Sequence, residues 1–308
     1  MTKHDNTANV PCYSIYGLNV ASDIALPAAA LGDAVPDVYI RYGKVPQELD
    51  KTTFQNRQYQ ITQNCILVRK RAARFLVCRG SQITIDPAPQ ATEAVILYRL
   101  LQVPLMALLY QRRRIVLHGS AICVDGKAVV FMGQSGRGKS TLAAAFRSRQ
   151  YPLLSDDICV VSLASTGKLL VVPGYPQIKI HRETARQIGI SAEALEPLPV
   201  DLKLEKYTLE TTDNFVRFPI PLRAIFEIDT AHCDETRLTP LHGYEKQFAL
   251  IGNTFLPGLV KALGREQSSF QQYAEAFRDI PLKRVNRPDC LSKLDSLVER
   301  LEGEWQST

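Results

Sequence analysis

Eight consecutive residues, Gly133-Gln134-Ser135-Gly136-Arg137-Gly138-Lys139-Ser140, fit the pattern G-x-x-x-x-G-K-[ST] at every fixed position. Glycines in such a loop let successive backbone N–H groups turn inward on phosphate oxygens. The lysine neutralises charge at the β- and γ-phosphates, and the final hydroxyl can ligate Mg²⁺. Thr141 follows directly and joins the candidate nucleotide contacts. A second candidate is Ser155-Asp156-Asp157, set between two apolar runs. Phosphoryl transfer to a hydroxyl needs one carboxylate to hold a metal and another to take the proton. We read Asp156 as the base and Asp157, with Ser140, as the metal ligand. Adjacent strand residues face opposite sides, so the acids can share a site only where a turn or strand end re-aims one of them. The third candidate is His118, one hairpin upstream of the loop. A nucleotide-binding regulator without transfer chemistry would keep the glycine loop and need no acid pair.

The elements that must hold these residues are legible around them. Ile115 to Val124 and Lys127 to Met132 are β-rich runs separated by Asp125-Gly126, a two-residue hairpin signal. The second run feeds the glycine loop. The Ala-rich stretch Ser140 to Arg149 predicts a helix whose N-terminus faces the anion. Strands are predicted at Leu153-Leu154, Ile158 to Leu163, Gln177 to Ile180 and Pro221 to Asp229, and helices at Gly264 to Arg278 and Leu291 to Leu301. Upstream, Tyr13 to Val20, Val38 to Tyr42, Tyr59 to Thr62, Cys65 to Arg69, Arg74 to Cys78 and Ile83 to Ile85 read as short strands of an antiparallel β-rich domain. Pro87-Ala88-Pro89 breaks that pattern and Thr92 can cap a following helix. The expected division is a β-rich accessory domain over 1–90, which would govern acceptor choice, and an α/β phosphate-loop domain over 91–308.

Composition narrows the class. The chain has 308 residues, 45% of them hydrophobic, enough for two domains with sizeable cores. Seven cysteines, none in a C-x-x-C pair, sit mostly in apolar runs and read as reduced thiols of a cytoplasmic protein. Met1 to Pro11 is polar and lacks the apolar stretch of a secretory signal. The most apolar segment, Ala94 to Tyr110, is interrupted by Arg99, Gln102 and Pro104, which predicts a buried helix pair rather than a membrane span. Net charge is +6, but the one dense basic run, Arg112-Arg113-Arg114, follows a helix end and has no interleaved aromatics. We therefore expect neither nucleic acid nor membrane as a partner, and leave homo-oligomerisation open.

The run Leu117-His118-Gly119-Ser120-Ala121, a hairpin, the glycine loop and then Leu154-Ser155-Asp156-Asp157 resembles the catalytic domain of HPr kinase/phosphorylase and its kinase-like relatives. A hairpin directly before the loop is similar to that family and to phosphoenolpyruvate carboxykinases. The resemblance is strong from about His118 to Val161 and looser to Asp229. It implies a mixed-sheet phosphate-loop kinase domain of HPr kinase/phosphoenolpyruvate carboxykinase type. It also implies ATP and Mg²⁺ as cofactors and phosphorylation of a serine hydroxyl on a small protein or peptide, with Asp156 or Asp157 as base and His118 nearby. The family has an acidic residue where Thr141 stands here, and Arg217 and Arg223 are the candidates for its later catalytic arginine. The N-terminal region looks like that of stand-alone relatives, some of which modify ribosomal peptides such as lasso-peptide precursors. Enzymes phosphorylating a small metabolite, or resembling the carboxykinases, would use the same scaffold.

Overall fold

The computed structural model describes residues 10–199, 206–231 and 233–306. Met1 to Asn9, most of the polar segment that the sequence reading takes to lack a secretory signal, lie outside the described residues. Two compact units divide after Arg113, where the sequence reading places the boundary near residue 90. The helices that follow Pro89 belong with the β-rich unit, which accounts for the difference.

In the first unit nine strands form one sheet: β1 (Cys12–Ile15), β2 (Leu18–Ser22), β3 (Ala29–Ala30), β4 (Val38–Tyr42), β5 (Phe54–Gln55), β6 (Tyr59–Ile61), β7 (Cys65–Arg69), β8 (Ala73–Cys78) and β9 (Gln82–Pro87). Their order is β3-β1-β2-β4-β9-β8-β7-β6-β5. The predicted strand over Tyr13 to Val20 is instead a hairpin, because Tyr16 (φ 50°) and Gly17 (φ 68°) both take the left-handed conformation of a tight two-residue turn. The sheet is mixed rather than antiparallel, since β4 runs parallel to both β2 and β9. Those pairs are joined by long connections, as parallel neighbours require. Cys65 faces Cys78 across the β7–β8 pair with 4.2 Å between Cα atoms, and the two form a disulfide. That corrects the expectation of seven reduced thiols. Cross-strand proximity, which the spacing in sequence does not reveal, brings them together. The apolar stretch 93–111 has the length and composition to cross a membrane. It is broken into α1 (Glu93–Leu100) and α2 (Val103–Gln111), and Val103 to Tyr110 are all buried.

The second unit is built on two long strands. β10 (Ile115–Val124) pairs through residues 115–118 with β13 (Ile158–Leu163), then through 119–124 with β11 (Lys127–Met132). β12 (Leu153–Ser155) lies on its other side. β18 (Ile220–Ala231) pairs at its start with β14 (Leu169–Val172), then runs parallel to β11 and to β20 (Leu282–Pro288). β19 (Arg237–Pro240) closes the edge against β20. The parallel β11–β18–β20 core carries α3 (Lys139–Ser148) and α8 (Leu294–Gln306) on one face, where Phe131 stacks on Phe146 at 5.3 Å and the sole tryptophan, Trp305, packs 5.2 Å from Phe146. A small sheet of β15 (Gln177–His181), β17 (Lys206–Glu210) and β16 (Leu195–Pro197), with α4 (Arg182–Gln187), covers the other side of α3. Alanines 143 and 144 meet Ile178, Ile180 and Leu209 there, which explains the Ala-rich helix. The opposite face of the core carries α5 (Gly243–Gly252) and α7 (Glu266–Ala276), with α6 (Pro257–Ala262) between them in the chain. The unit is α/β with mixed sheets.

Candidate active site

The glycine loop leaves β11 at Met132 and crosses β18. Gly133 has φ 150°, and a Cβ placed on it would lie 2.4 Å from the carbonyl oxygen of Ile228, so only glycine passes. Gly138, at φ 92°, turns the chain into α3. Lys139 is 6% exposed, and its Nζ donates to the carbonyls of Gly133 at 2.8 Å and Gln134 at 3.0 Å, curling the loop around the ammonium. Burial lowers the Lys139 pKa to about 8, although the charges of Asp157 and Asp156 work against the shift. Ser135, Gly136, Gly138, Lys139, Ser140 and Thr141 line one wall of a cleft of about 590 Å³. The side chains of Gln134 and Arg137 turn away from it. Gln134 donates to the carbonyl of Gly252, and Arg137 reaches Asp229 at 3.1 Å and the Thr230 hydroxyl.

The two acids lie where β12 gives way to β13. Ile158 N–H donates to Asp156 C=O at 2.8 Å, closing a three-residue turn with Asp157 at φ 69°. This left-handed γ-turn is a strained conformation for a non-glycine residue, and it supplies the re-aiming that two adjacent carboxylates need. Asp156 is 5% exposed, accepts from Ser120 Oγ at 2.6 Å and from Lys179 N–H at 2.9 Å, and hydrogen-bonds Ser140. Burial and the Asp157 charge push its pKa up, against those hydrogen bonds. Asp157 faces the cleft, with Lys179 Nζ 2.9 Å from one oxygen and His118 Nε2 3.5 Å from the other. Burial works to raise Asp157, but the Lys179 ammonium and the hydrogen bonds from His118 and Lys179 hold it below the usual carboxylate range. The sequence reading assigns the base to Asp156 and the metal to Asp157. The geometry suits the reverse, because only Asp157 lines the cleft and only Asp156 touches Ser140.

His118 is held by its backbone N–H to the Asn253 carbonyl at 2.7 Å, and its ring meets Phe255 edge-on at 5.8 Å. The remaining walls were not singled out from sequence. On one side stand Lys179, His181 and Lys206, with Ile178 and Ile180 alternating into the core, so the period-2 pattern of Gln-Ile-Lys-Ile-His carries the signal. On the other side stands Arg287 of β20, a strand with no clear alternation in Leu-Lys-Arg-Val-Asn-Arg-Pro. Arg217 and Arg223 do not reach the cleft. Arg217 is exposed, and Arg223 pairs with Asp125 in the hairpin turn at the far end of β11.

Among the described residues no group of three or more His, Cys, Asp or Glu could hold a metal by itself. The Ser140 hydroxyl beside the buried Asp156 carboxylate nevertheless fits Mg²⁺, which takes few protein ligands and completes its shell with phosphate oxygens and water. No protein-family model and no curated protein matches this chain. Among solved structures it is similar to the Hpr(Ser) kinase/phosphatase from Coxiella burnetii, at 11% identity and a TM-score of 0.32, over 63% of this chain and 99% of that one. A likeness at that TM-score carries no weight for the chemistry.

Proposed function

We propose that the protein is an ATP-dependent kinase that transfers the γ-phosphoryl group to a serine hydroxyl of a small protein or peptide. One observation carries the reading: a single cleft is lined by the glycine loop with its buried Lys139 and by Asp157, the carboxylate that faces it beside His118 and Lys179. The loop N–H groups and Lys139 bind and orient the phosphates. Ser140 and Asp156 would hold Mg²⁺, which neutralises phosphate charge when bound. Asp157 takes the acceptor proton as the oxygen bonds to the γ-phosphorus and the bond to the ADP oxygen breaks. His118 and Lys179 keep that carboxylate ionised and aimed. The serine acceptor rests on the resemblance in the 118–161 segment.

The basic wall of Lys179, His181 and Lys206 favours an acidic acceptor, and it also favours a second reading, a kinase of small anionic metabolites. Incubation with γ-labelled MgATP and candidate acceptors, followed by phosphoamino-acid analysis, separates them. Label on serine in protein supports the first, label confined to small anions supports the second, and no Lys139-dependent label in either fraction refutes both.

A further inference from the structure

An apolar groove of about 320 Å³ opens between α5 and α7 and shares no residue with the phosphate cleft. Its floor is Leu250, Tyr273 and Phe277, all part of the buried core. Gln247 closes the base by donating from Nε2 to the Phe270 carbonyl at 2.7 Å. The rim leaves its aromatics in water: Tyr244 is 77% exposed, Phe248, one turn along the same face of α5, is 68% exposed, and Phe270 of α7 is 39% exposed. Such residues scattered singly would mean little, but gathered around one apolar hollow they mark a surface that a partner covers. Phe248 lies outside the hollow itself, so the exposed strip is longer than a small molecule needs and suits a polypeptide. Charge narrows the partner further. The lining holds two cations, Lys246 and Arg278, and no carboxylate. Lys246 is half-buried and donates to the Arg278 carbonyl at 2.9 Å, and burial lowers its pKa although Asp279 works against the shift. The Arg278 side chain is exposed. An apolar hollow edged by positive charge takes an apolar side chain flanked by carboxylates and rejects one flanked by cations.

The groove also stands close to the chemistry, because α5 ends there. The Gly252 carbonyl accepts from Gln134 of the phosphate loop, and the Asn253 carbonyl accepts from the His118 N–H. From the groove floor, the Tyr273 hydroxyl meets Thr254 Oγ1 at 3.2 Å, and Thr254 is bridged to Leu117, the neighbour of His118. The ten residues of α5 span about 15 Å, the reach of about five extended residues. We propose that the α5–α7 groove docks an acidic, apolar-anchored segment of the acceptor polypeptide, separate from the hydroxyl that is phosphorylated. That the docked chain is an acceptor rests on the kinase reading above.

The probe is a library of random peptides about twelve residues long, selected on the full chain and counter-selected on Tyr244→Ser, an exposed position whose change leaves the core alone. Enriched peptides should carry aromatic or large aliphatic residues beside Asp or Glu, and by fluorescence anisotropy should bind the wild type at least about tenfold more tightly than Tyr244→Ser. Arg278→Glu should shift the selection toward peptides with Lys or Arg. With a serine appended through a flexible linker, the best peptide should be labelled from γ-labelled MgATP with a KM about tenfold higher in Tyr244→Ser and an unchanged kcat. Absence of Tyr244-dependent enrichment, or a charge preference that Arg278→Glu does not move, overturns the groove. Lys139-dependent labelling with the same KM in Tyr244→Ser overturns the docking role and leaves the kinase reading intact. Tyr244-dependent binding of acidic peptides with no Lys139-dependent label on serine overturns the kinase reading and leaves the groove standing. A free chain that sediments as a dimer and dissociates in Tyr244→Ser gives the groove to a second copy and overturns the proposal.

Discussion

Raising the pH should release the nucleotide, and Lys139 fixes where. In the free protein burial holds this lysine at about 8 rather than its ordinary 10.5, and at 6% exposure solvent screens little of the effect. Bound phosphates favour the ammonium and raise its pKa. Below pH 8 the lysine is charged in both states and affinity is level. Above pH 8 binding must take up a proton, so MgATP affinity falls by about tenfold per unit, reaching roughly 30-fold at pH 9.5. If the phosphates restore the ordinary value, the loss ends near pH 10.5 with a ceiling of about 3.4 kcal/mol. For folding the sign is the opposite. The unfolded chain binds more protons than the free native protein between about pH 8 and 10.5, so this one group makes stability rise with pH across that window. The assay is calorimetric MgATP binding from pH 7 to 9.5 at fixed free Mg²⁺, with Lys139→Met beside the wild type. The slope should vanish in the variant. Level wild-type affinity through pH 9.5, or the same slope in Lys139→Met, refutes the assignment of the buried ammonium to the phosphates.

Three further outcomes follow from the packing. Gly133→Ala should lose at least ~2 kcal/mol of stability and most ATP binding, because φ 150° and a contact of 2.4 Å to Ile228 exclude a Cβ, and thermal melting checks it. Ser120→Ala removes a 2.6 Å hydrogen bond from the buried Asp156 and should cost about 1–3 kcal/mol in denaturant unfolding. Trp305→Ala opens the aromatic cluster around Phe146 behind the loop helix and should cost about 3–5 kcal/mol, with near-ultraviolet circular dichroism reporting the loosened core.

The parts of the site that are contiguous in sequence were legible there. The hairpin at Asp125-Gly126, the strand into Gly133 and the helix from Lys139 each obey a local rule, and the structure forms all three. The adjacency of Asp156 and Asp157 was visible, but not that Asp157 lines the cleft while Asp156 is buried against Ser140. That arrangement depends on a γ-turn at Asp157 and on Ser120 and Ser140 approaching Asp156 from other elements. Arg287 carries no local signal because its strand is defined by pairing with β18 rather than by alternation, and the pairing of Arg223 with Asp125 is equally invisible locally because only the parallel β11–β18 register brings the two together. In the first unit the same limit applies. The parallel pairing of β4 and the facing of Cys65 and Cys78 are products of register, which local composition does not encode.

The central claim is that Asp157, not Asp156, meets the acceptor while the loop holds the nucleotide. It is tested most directly by single-turnover transfer of labelled γ-phosphoryl in Asp157→Asn and Asp156→Asn across a Mg²⁺ titration, with ATP affinity measured in each. Asp157→Asn should bind ATP like the wild type yet transfer about 10²–10⁴-fold more slowly at every Mg²⁺ concentration, and Asp156→Asn should regain rate as Mg²⁺ is raised. Near-wild-type transfer by Asp157→Asn, or a rate that Mg²⁺ restores in that variant rather than in Asp156→Asn, contradicts it.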